Sequence, residues 1–322
     1  MSIFFIQKFK NKVKNNYIYS LFFPIFFLFP YLFSYIFFTP KSILSSDADI
    51  NRINAVSLDE EISGIENTLQ VDDFRQINEN KQDNSTSSVD IVNTKSTIKI
   101  FILGYHQVRE TKLTDGPKTR MFITKPEIFD KEMEFLSDKG YHTISIIDYV
   151  NYLKTGKANF NLNKSFILTF DDGYASQYVN AFPILKKYSF NATFFIYSDC
   201  IDRYPVCMTS EQLKDLTSNG MKIGNHTVHH LYLPKYSDDI IKNEIEVNEE
   251  KLISIVGTSS IENILAYPYG ATDNRVEDII KSFNYDGAVG VLATKKDKDN
   301  DIFNLRRYLL GEDYNFFESL FK

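Results

Sequence analysis

Sulfur is scarce in this chain: its 322 residues include two cysteines, Cys200 and Cys207, with six residues between them. Two thiols at that spacing exclude a cysteine-built metal site. Lysine and arginine number 36 against 42 aspartates and glutamates, for a net charge of −6 and a pI near 5.5. The basic footprint of a nucleic-acid binder is missing, so no nucleic-acid partner is expected. No internal repeat is visible. Only five histidines occur, and none lies beyond His230. Residues 1–40 contain no acid, and residues 17–38 no charge of either sign.

That uncharged stretch of Phe, Leu, Ile and Tyr is long enough to cross roughly 30 Å of hydrocarbon. Lys8, Lys10, Lys12 and Lys14 precede it and should stay in the cytoplasm, which puts the rest of the chain outside. A cleaved signal peptide is the rival reading. The apolar run exceeds the roughly 7–15 residues of such a core, and residues 39–46 offer no clear cleavage site. Either way, the remainder of the chain is exported. Residues 41–97 carry eleven acids against five bases and no sustained periodicity, as expected of a disordered tether. The expected organisation is therefore a basic tip and anchor over 1–40, an acidic linker over 41–97 and a folded domain over 98–322. In an exported domain Cys200 and Cys207 can close a small disulfide loop. Two core thiols are the other reading, and the sequence leaves both open.

A hydrophobic content of 43%, with 15% aromatic, is ample for a packed core. From Ile98 strand-like and helix-like segments alternate. Strands are expected over 98–104, 141–144, 165–170, 192–197, 221–224, 264–267, 287–292 and 307–310. Helices are expected from a capping box at Thr124 to Lys139, to about Leu153, over 177–188, and from Thr209 with Gln212 to Gly220. Three more are expected over 237–256, 274–283 and 316–321. Such alternation implies a mainly parallel α/β sheet. The expected architecture is a distorted (β/α) barrel with its site at the C-terminal strand ends, and a doubly wound open sheet is the alternative.

Two short runs carry the chemistry. Thr169-Phe170-Asp171-Asp172-Gly173 ends an apolar strand candidate, and His226-Thr227-Val228-His229-His230 comes just after another. Asp172, His226 and His230 would make a three-ligand N/N/O site with room for water, the open arrangement that catalytic zinc needs. Asp171 would then be the base beside it.

These runs, followed by Ala266-Tyr267-Pro268-Tyr269-Gly270, resemble the first three motifs of the polysaccharide deacetylase family, the nodulation-protein-B homology domain of carbohydrate esterase family 4. The resemblance spans roughly residues 98–320. It implies Asp171 as general base, Asp172, His226 and His230 as ligands of one divalent metal, usually zinc, and Tyr269 lining the groove with its N–H toward the oxyanion. His229 fills a variable position of the motif and is expected outside the ligand set. The family pattern is broken twice. No arginine precedes Pro268-Tyr269, so Arg306 or Arg307 is the candidate charge to support Asp171. No late histidine exists to act as general acid. Gly104-Tyr105-His106-Gln107-Val108 instead resembles the early Tyr-His motif of the subgroup acting on poly-β-1,6-N-acetylglucosamine, which implies His106 as the acid. His142, at the start of a strand candidate, is expected to be structural.

The activity implied is hydrolysis of N-acetyl groups from an extracytoplasmic polysaccharide, with an exopolysaccharide of the poly-N-acetylglucosamine type favoured. Peptidoglycan or another envelope glycan is the alternative substrate. A catalytically weak carbohydrate-binding protein on the same fold is the alternative of a different class.

Overall fold

The structure is a computed structural model that describes residues 100–291 and 301–322. The expected anchor and tether lie outside the described residues. Among the described residues no helix is long and apolar enough to cross a membrane.

Among the described residues ten strands run in the order β1 (Phe101–Tyr105), β2 (Gln107–Val108), β3 (Ile123–Thr124), β4 (His142–Thr143), β5 (Ser165–Phe170), β6 (Thr193–Ile196), β7 (Lys222–Asn225), β8 (Ile261–Ala266), β9 (Gly287–Val289) and β10 (Tyr308–Leu309). Eight of them form one parallel sheet ordered β10-β1-β5-β6-β7-β8-β9, with β4 paired to the start of β5. The helices are α1 (Pro117–Arg120), α2 (Pro126–Asp138), α3 (Ile146–Thr155), α4 (Phe182–Tyr188), α5 (Ser210–Ser218), α6 (Asp238–Val256), α7 (Asn274–Ser282) and α8 (Tyr314–Ser319).

The edges of this sheet are linked to each other. Val289 of β9 bridges in parallel to Leu305, and Leu305 N–H donates to Ala288 O at 2.9 Å. Three residues later β10 pairs with β1, Tyr308 opposite Leu103. One segment thus bonds both edges, which is the (β/α) barrel expectation and not an open sheet.

Alternation along the strands divides the core. Leu103 and Tyr105 of β1 and Phe166, Leu168 and Phe170 of β5 pack outward under the helices. Ile102, Ile167, Phe195, Ile264, Ala266 and Val289 pack together on the opposite, inner face. Side chains two residues further on share that face. The inner rows therefore end as Ile102-Gly104-His106 and Ile167-Thr169-Asp171, and Gly224 leads to His226 in the same way. Gly224 is required there, since a Cβ would stand 2.4 Å from the Phe195 ring.

The unbroken run of β5 is buried throughout, as befits a central parallel strand. Thr209 and Gln212 form the expected capping box of α5. Other expectations need correction. Thr124 does not cap α2; it sits in β3, where its hydroxyl donates to Leu310 O at 3.3 Å, and Lys125 is the N-cap with Pro126 at the first helical position. The helix expected over 177–188 is two pieces, a wide π turn at Gln177–Ala181 and then α4. The strands β2 and β3, paired with each other, have no counterpart in the sequence reading because two-residue strands carry no alternation to detect.

Glu132, on the inner side of α2, is fully buried and accepts a hydrogen bond from Tyr105 Oη at 2.9 Å. Burial pushes its carboxyl up to about 8, with the Tyr105 bond only partly opposing this. A carboxyl whose folded pKa lies above its unfolded value binds its proton more tightly when folded. Stability is then full below about pH 4.5 and is lost as pH rises toward 8. The wild-type protein should lose a few kcal/mol of unfolding free energy over that window relative to Glu132→Gln, given about 1.4 kcal/mol for each tenfold change in proton affinity. Urea unfolding of both proteins at pH 5 and pH 8 checks it; parallel pH dependences would show that Glu132 is not the group responsible.

Candidate active site

Asp171 is the first residue beyond β5. Its N–H donates to Tyr105 O at 2.9 Å, extending the β1–β5 ladder by one rung, and its side chain enters the inner face. There it meets Arg307. The guanidinium donates to Asp171 Oδ1 at 2.7 Å and to Oδ2 at 2.6 Å, a two-pronged pair with Arg307 0% and Asp171 2% exposed. Arg307 also donates to Gly290 O at 2.9 Å and Thr169 Oγ1 at 3.2 Å, and lies over the Phe195 ring. Burial pushes the Asp171 carboxyl up, but the Arg307 charge and then His226 outweigh it, and the net position is below the usual range. Asp171 is therefore ionised and fixed in orientation. Arg306, the other candidate, is exposed and stacks on Tyr308 instead.

Asp172 turns the opposite way because its backbone is left-handed, at φ 73°. Its Oδ1 faces His226 Nε2 at 3.5 Å and His230 Nε2 at 3.4 Å, too long to count as good hydrogen bonds. That oxygen is buried and has no hydrogen-bond partner. His226 Nδ1 stands 2.8 Å from Ala266 O; a carbonyl only accepts, so the ring proton sits on Nδ1 and Nε2 presents its lone pair. The three ligand atoms lie within 4.8 Å of one another. An orphaned carboxylate oxygen between two imidazole nitrogens is what a divalent cation would satisfy, so the donor set fits one metal ion.

The charges agree with that use. Burial pushes Asp172 up, yet His226 and His230 outweigh it and hold it well below the carboxylate range. Burial drives His230 down to about 4, with Asp172 only partly offsetting this, so it is a neutral ligand. Burial also lowers His226, but Asp172 and Asp171 more than reverse it, so at Nε2 a metal competes with a second proton while the Nδ1 proton stays donated to Ala266 O.

His106 lies directly after β1 and is 7% exposed, its ring 4.8 Å from that of Phe122. Burial lowers its imidazole, against the opposing pull of Asp172 and Asp171. Tyr269 has a left-handed backbone at φ 60°, and its ring lies 4.6 Å from His230 and 6.0 Å from Tyr232. His229 leaves the cluster: its Nδ1 is 2.6 Å from Glu244 Oε1, and its side chain is largely exposed. His142 is exposed at the start of β4, the opposite end of the sheet from the site.

Two contributors have no motif. Gln177 is buried, and its Nε2 donates to His106 O at 2.7 Å and Asp171 O at 2.5 Å, tying the ends of β1 and β5 together from the π turn. Glu244, on α6, accepts from Val228 N at 3.1 Å and His229 N at 2.8 Å and so clamps the histidine loop. A glutamine in a helical stretch and an acid within a run of acids look ordinary in sequence.

Residues 160–288 match the family model described as Polysaccharide deacetylase. The chain is 26% identical over 227 residues to YxkH of Bacillus subtilis (strain 168), covering 70% of this chain and 76% of that protein. It is 23% identical over 241 residues to the poly-beta-1,6-N-acetyl-D-glucosamine N-deacetylase of Staphylococcus aureus (strain MSSA476), covering 68% of this chain and 81% of that one. Among solved structures, the Streptococcus pyogenes deacetylase PplD in complex with acetate is similar with a TM-score of 0.62 and 24% identity, over 69% of this chain and 98% of that chain.

Removing Arg307 would leave the Asp171 charge buried and unpaired. Arg307→Leu should destabilise the fold by about 3–5 kcal/mol, the usual cost of breaking a buried pair from one side. Arg306→Leu should leave the unfolding curve close to wild type. Equal effects of the two substitutions in urea unfolding would contradict the distinction.

Proposed function

We propose that this chain, which carries a polysaccharide deacetylase domain and is an enzyme of the deacetylase class, removes N-acetyl groups from an extracytoplasmic polysaccharide containing N-acetylglucosamine. The observation that carries the reading is the convergence of Asp172, His226 and His230 beside an Asp171 held by Arg307, with His106 at the same mouth. The charged pair, the three-ligand cluster and the extra histidine are more than a carbohydrate-binding groove requires.

Asp172, His226 and His230 would hold one divalent metal, with zinc favoured by the nitrogen-rich donor set. Bound there, it supplies Lewis acidity toward water and toward the acetamide carbonyl. Asp171 accepts the proton of the attacking water on its carboxylate, which Arg307 keeps charged and aimed. The Tyr269 main-chain N–H is assigned to the oxyanion; single donors of that kind are worth about 10²–10³ in rate. His106 protonates the amine nitrogen as the C–N bond breaks, since that nitrogen cannot leave as an anion. Acetate and a free amino sugar result. The stretch over 17–38, read as a membrane anchor, puts the domain over 98–322 on the outer side of the membrane, where such a glycan lies. The likeness to the Staphylococcus aureus enzyme, together with the early position of His106, favours a poly-β-1,6-linked chain over peptidoglycan or another envelope glycan.

A panel of β-1,6- and β-1,4-linked N-acetylglucosamine oligomers tests the substrate, with acetate release expected on the β-1,6 series. His106→Ala should keep its metal and fold yet lose about 10²–10⁴ of amide turnover. His226→Ala should lose the metal itself, and His142→Ala should lose neither. An His106→Ala protein that deacetylates at the wild-type rate would remove His106 from the mechanism.

A further inference from the structure

The segment between β6 and α5, residues 198–208, touches both loops that bring the three ligands together. At its start, Ser198 N donates to Thr227 O at 3.3 Å and Asp199 N to Val228 O at 3.0 Å, gripping the loop between His226 and His230. At its end, Ala175 N donates to Val206 O at 2.7 Å and Met208 N to Gly173 O at 2.9 Å, gripping the turn directly after Asp172. Cys207 itself pairs with Tyr174 as an antiparallel bridge. Cys200 comes just after the first grip and Cys207 lies within the second, and the two are joined by a disulfide whose sulfur-bearing side chains are buried.

We infer that the Cys200–Cys207 disulfide is a positioning element of the metal site, fixing the spacing between the Asp172 turn and the His226–His230 loop. The loops it joins need such support. Asp172, Thr227 and His230 all hold left-handed backbones, at φ 73°, 67° and 56°, which non-glycine residues keep only when their surroundings impose it. Between the two cysteines the chain makes short turns of its own, such as Arg203 N to Cys200 O and Cys207 N to Tyr204 O. Those turns set the local path, and the covalent bond fixes the distance between the grips. With the bond opened, each end of the segment can shift with its own loop, and Asp172 Oδ1 is no longer held between the two imidazoles. Opening it takes an external reductant: a phosphine gives two electrons to the S–S bond, the two sulfurs leave as thiols with protons from water, and the phosphine becomes its oxide.

The inference rests on the metal-site reading above, so the test measures zinc affinity directly. Zinc is competed against a chromophoric chelator in the oxidised protein, in protein reduced with tris(carboxyethyl)phosphine, and in a Cys200→Ser/Cys207→Ser variant that lacks the freed thiols as ligands. Affinity should fall roughly tenfold in the variant and in the reduced protein, the low end of what outer partners contribute to metal sites, and reoxidation should restore it. Hydrogen exchange at the Ala175 and Met208 amides should speed up in parallel. A disulfide that serves stability alone would lower the unfolding midpoint and leave the zinc affinity of the folded protein unchanged; that result overturns the inference while the metal site stands. An oxidised wild-type protein that takes up no zinc overturns both.

Discussion

A guanidinium with no solvent contact holds both oxygens of a carboxylate that is almost as deeply buried, one layer beneath the mouth of the barrel. Desolvating two ions costs several kcal/mol each, and their attraction repays it only when geometry is good and the remaining donors are satisfied. Arg307 meets that condition: its Nε binds Gly290 O and a terminal nitrogen binds Thr169 Oγ1. The same residue lies between Leu305, bonded to β9, and Tyr308, paired with β1. Charge balance in the centre and closure of the sheet at its edges therefore depend on one short stretch of chain. Neither can be altered alone.

Around that pair the backbone is bent against its preference. Asp172, Thr227, His230 and Tyr269 all take positive φ, and all four lie at the site. The bends have a geometric use. Asp171 and Asp172 are adjacent, yet the left-handed turn at Asp172 sends one carboxylate toward Arg307 and the other toward the two imidazoles. Glu244 and Gln177 then act as internal fasteners, the first on the histidine loop and the second between the ends of β1 and β5.

How much of this could be read from the sequence depended on whether the signal was local. The run Ser165 to Phe170 matched β5 because a strand buried on both faces must be apolar throughout. Thr209 and Gln212 predicted the start of α5 because a capping box involves only residues three apart. Asp172, His226 and His230 could be grouped because Asp172 comes just after β5 and the two histidines, four residues apart, share the loop after β7. The partner of Asp171 could be narrowed only to Arg306 or Arg307: both fall in the short irregular stretch between the Leu305 bridge and β10, where no alternation in the sequence says which side chain faces inward. Thr124 misled for a similar reason, since Thr-x-x-Glu fits a cap locally and only the pairing of β3 with β2 removes it. The choice between disulfide and free thiols at Cys200 and Cys207 was open because proximity of the two sulfurs is a property of the turns between them.

The two edges of the sheet are joined through residues 305–309, which follow β9 in sequence, and this bears on the order in which the molecule can be assembled. Synthesis delivers Asp171 some 136 residues before the guanidinium that neutralises it. Until then the carboxylate has only water or a proton as company, and the inner layer around Thr169 and Phe195 lacks the side chain that fills it. A growing chain can pair β1 with β5 through β8 early, but it holds an open sheet with an uncompensated acid at its centre. Commitment to the final state must wait for residues 305–310. A chain lacking residues 305–310 would keep Asp172, His226 and His230 but lose both the Arg307 partner of Asp171 and the Leu305 bridge to β9.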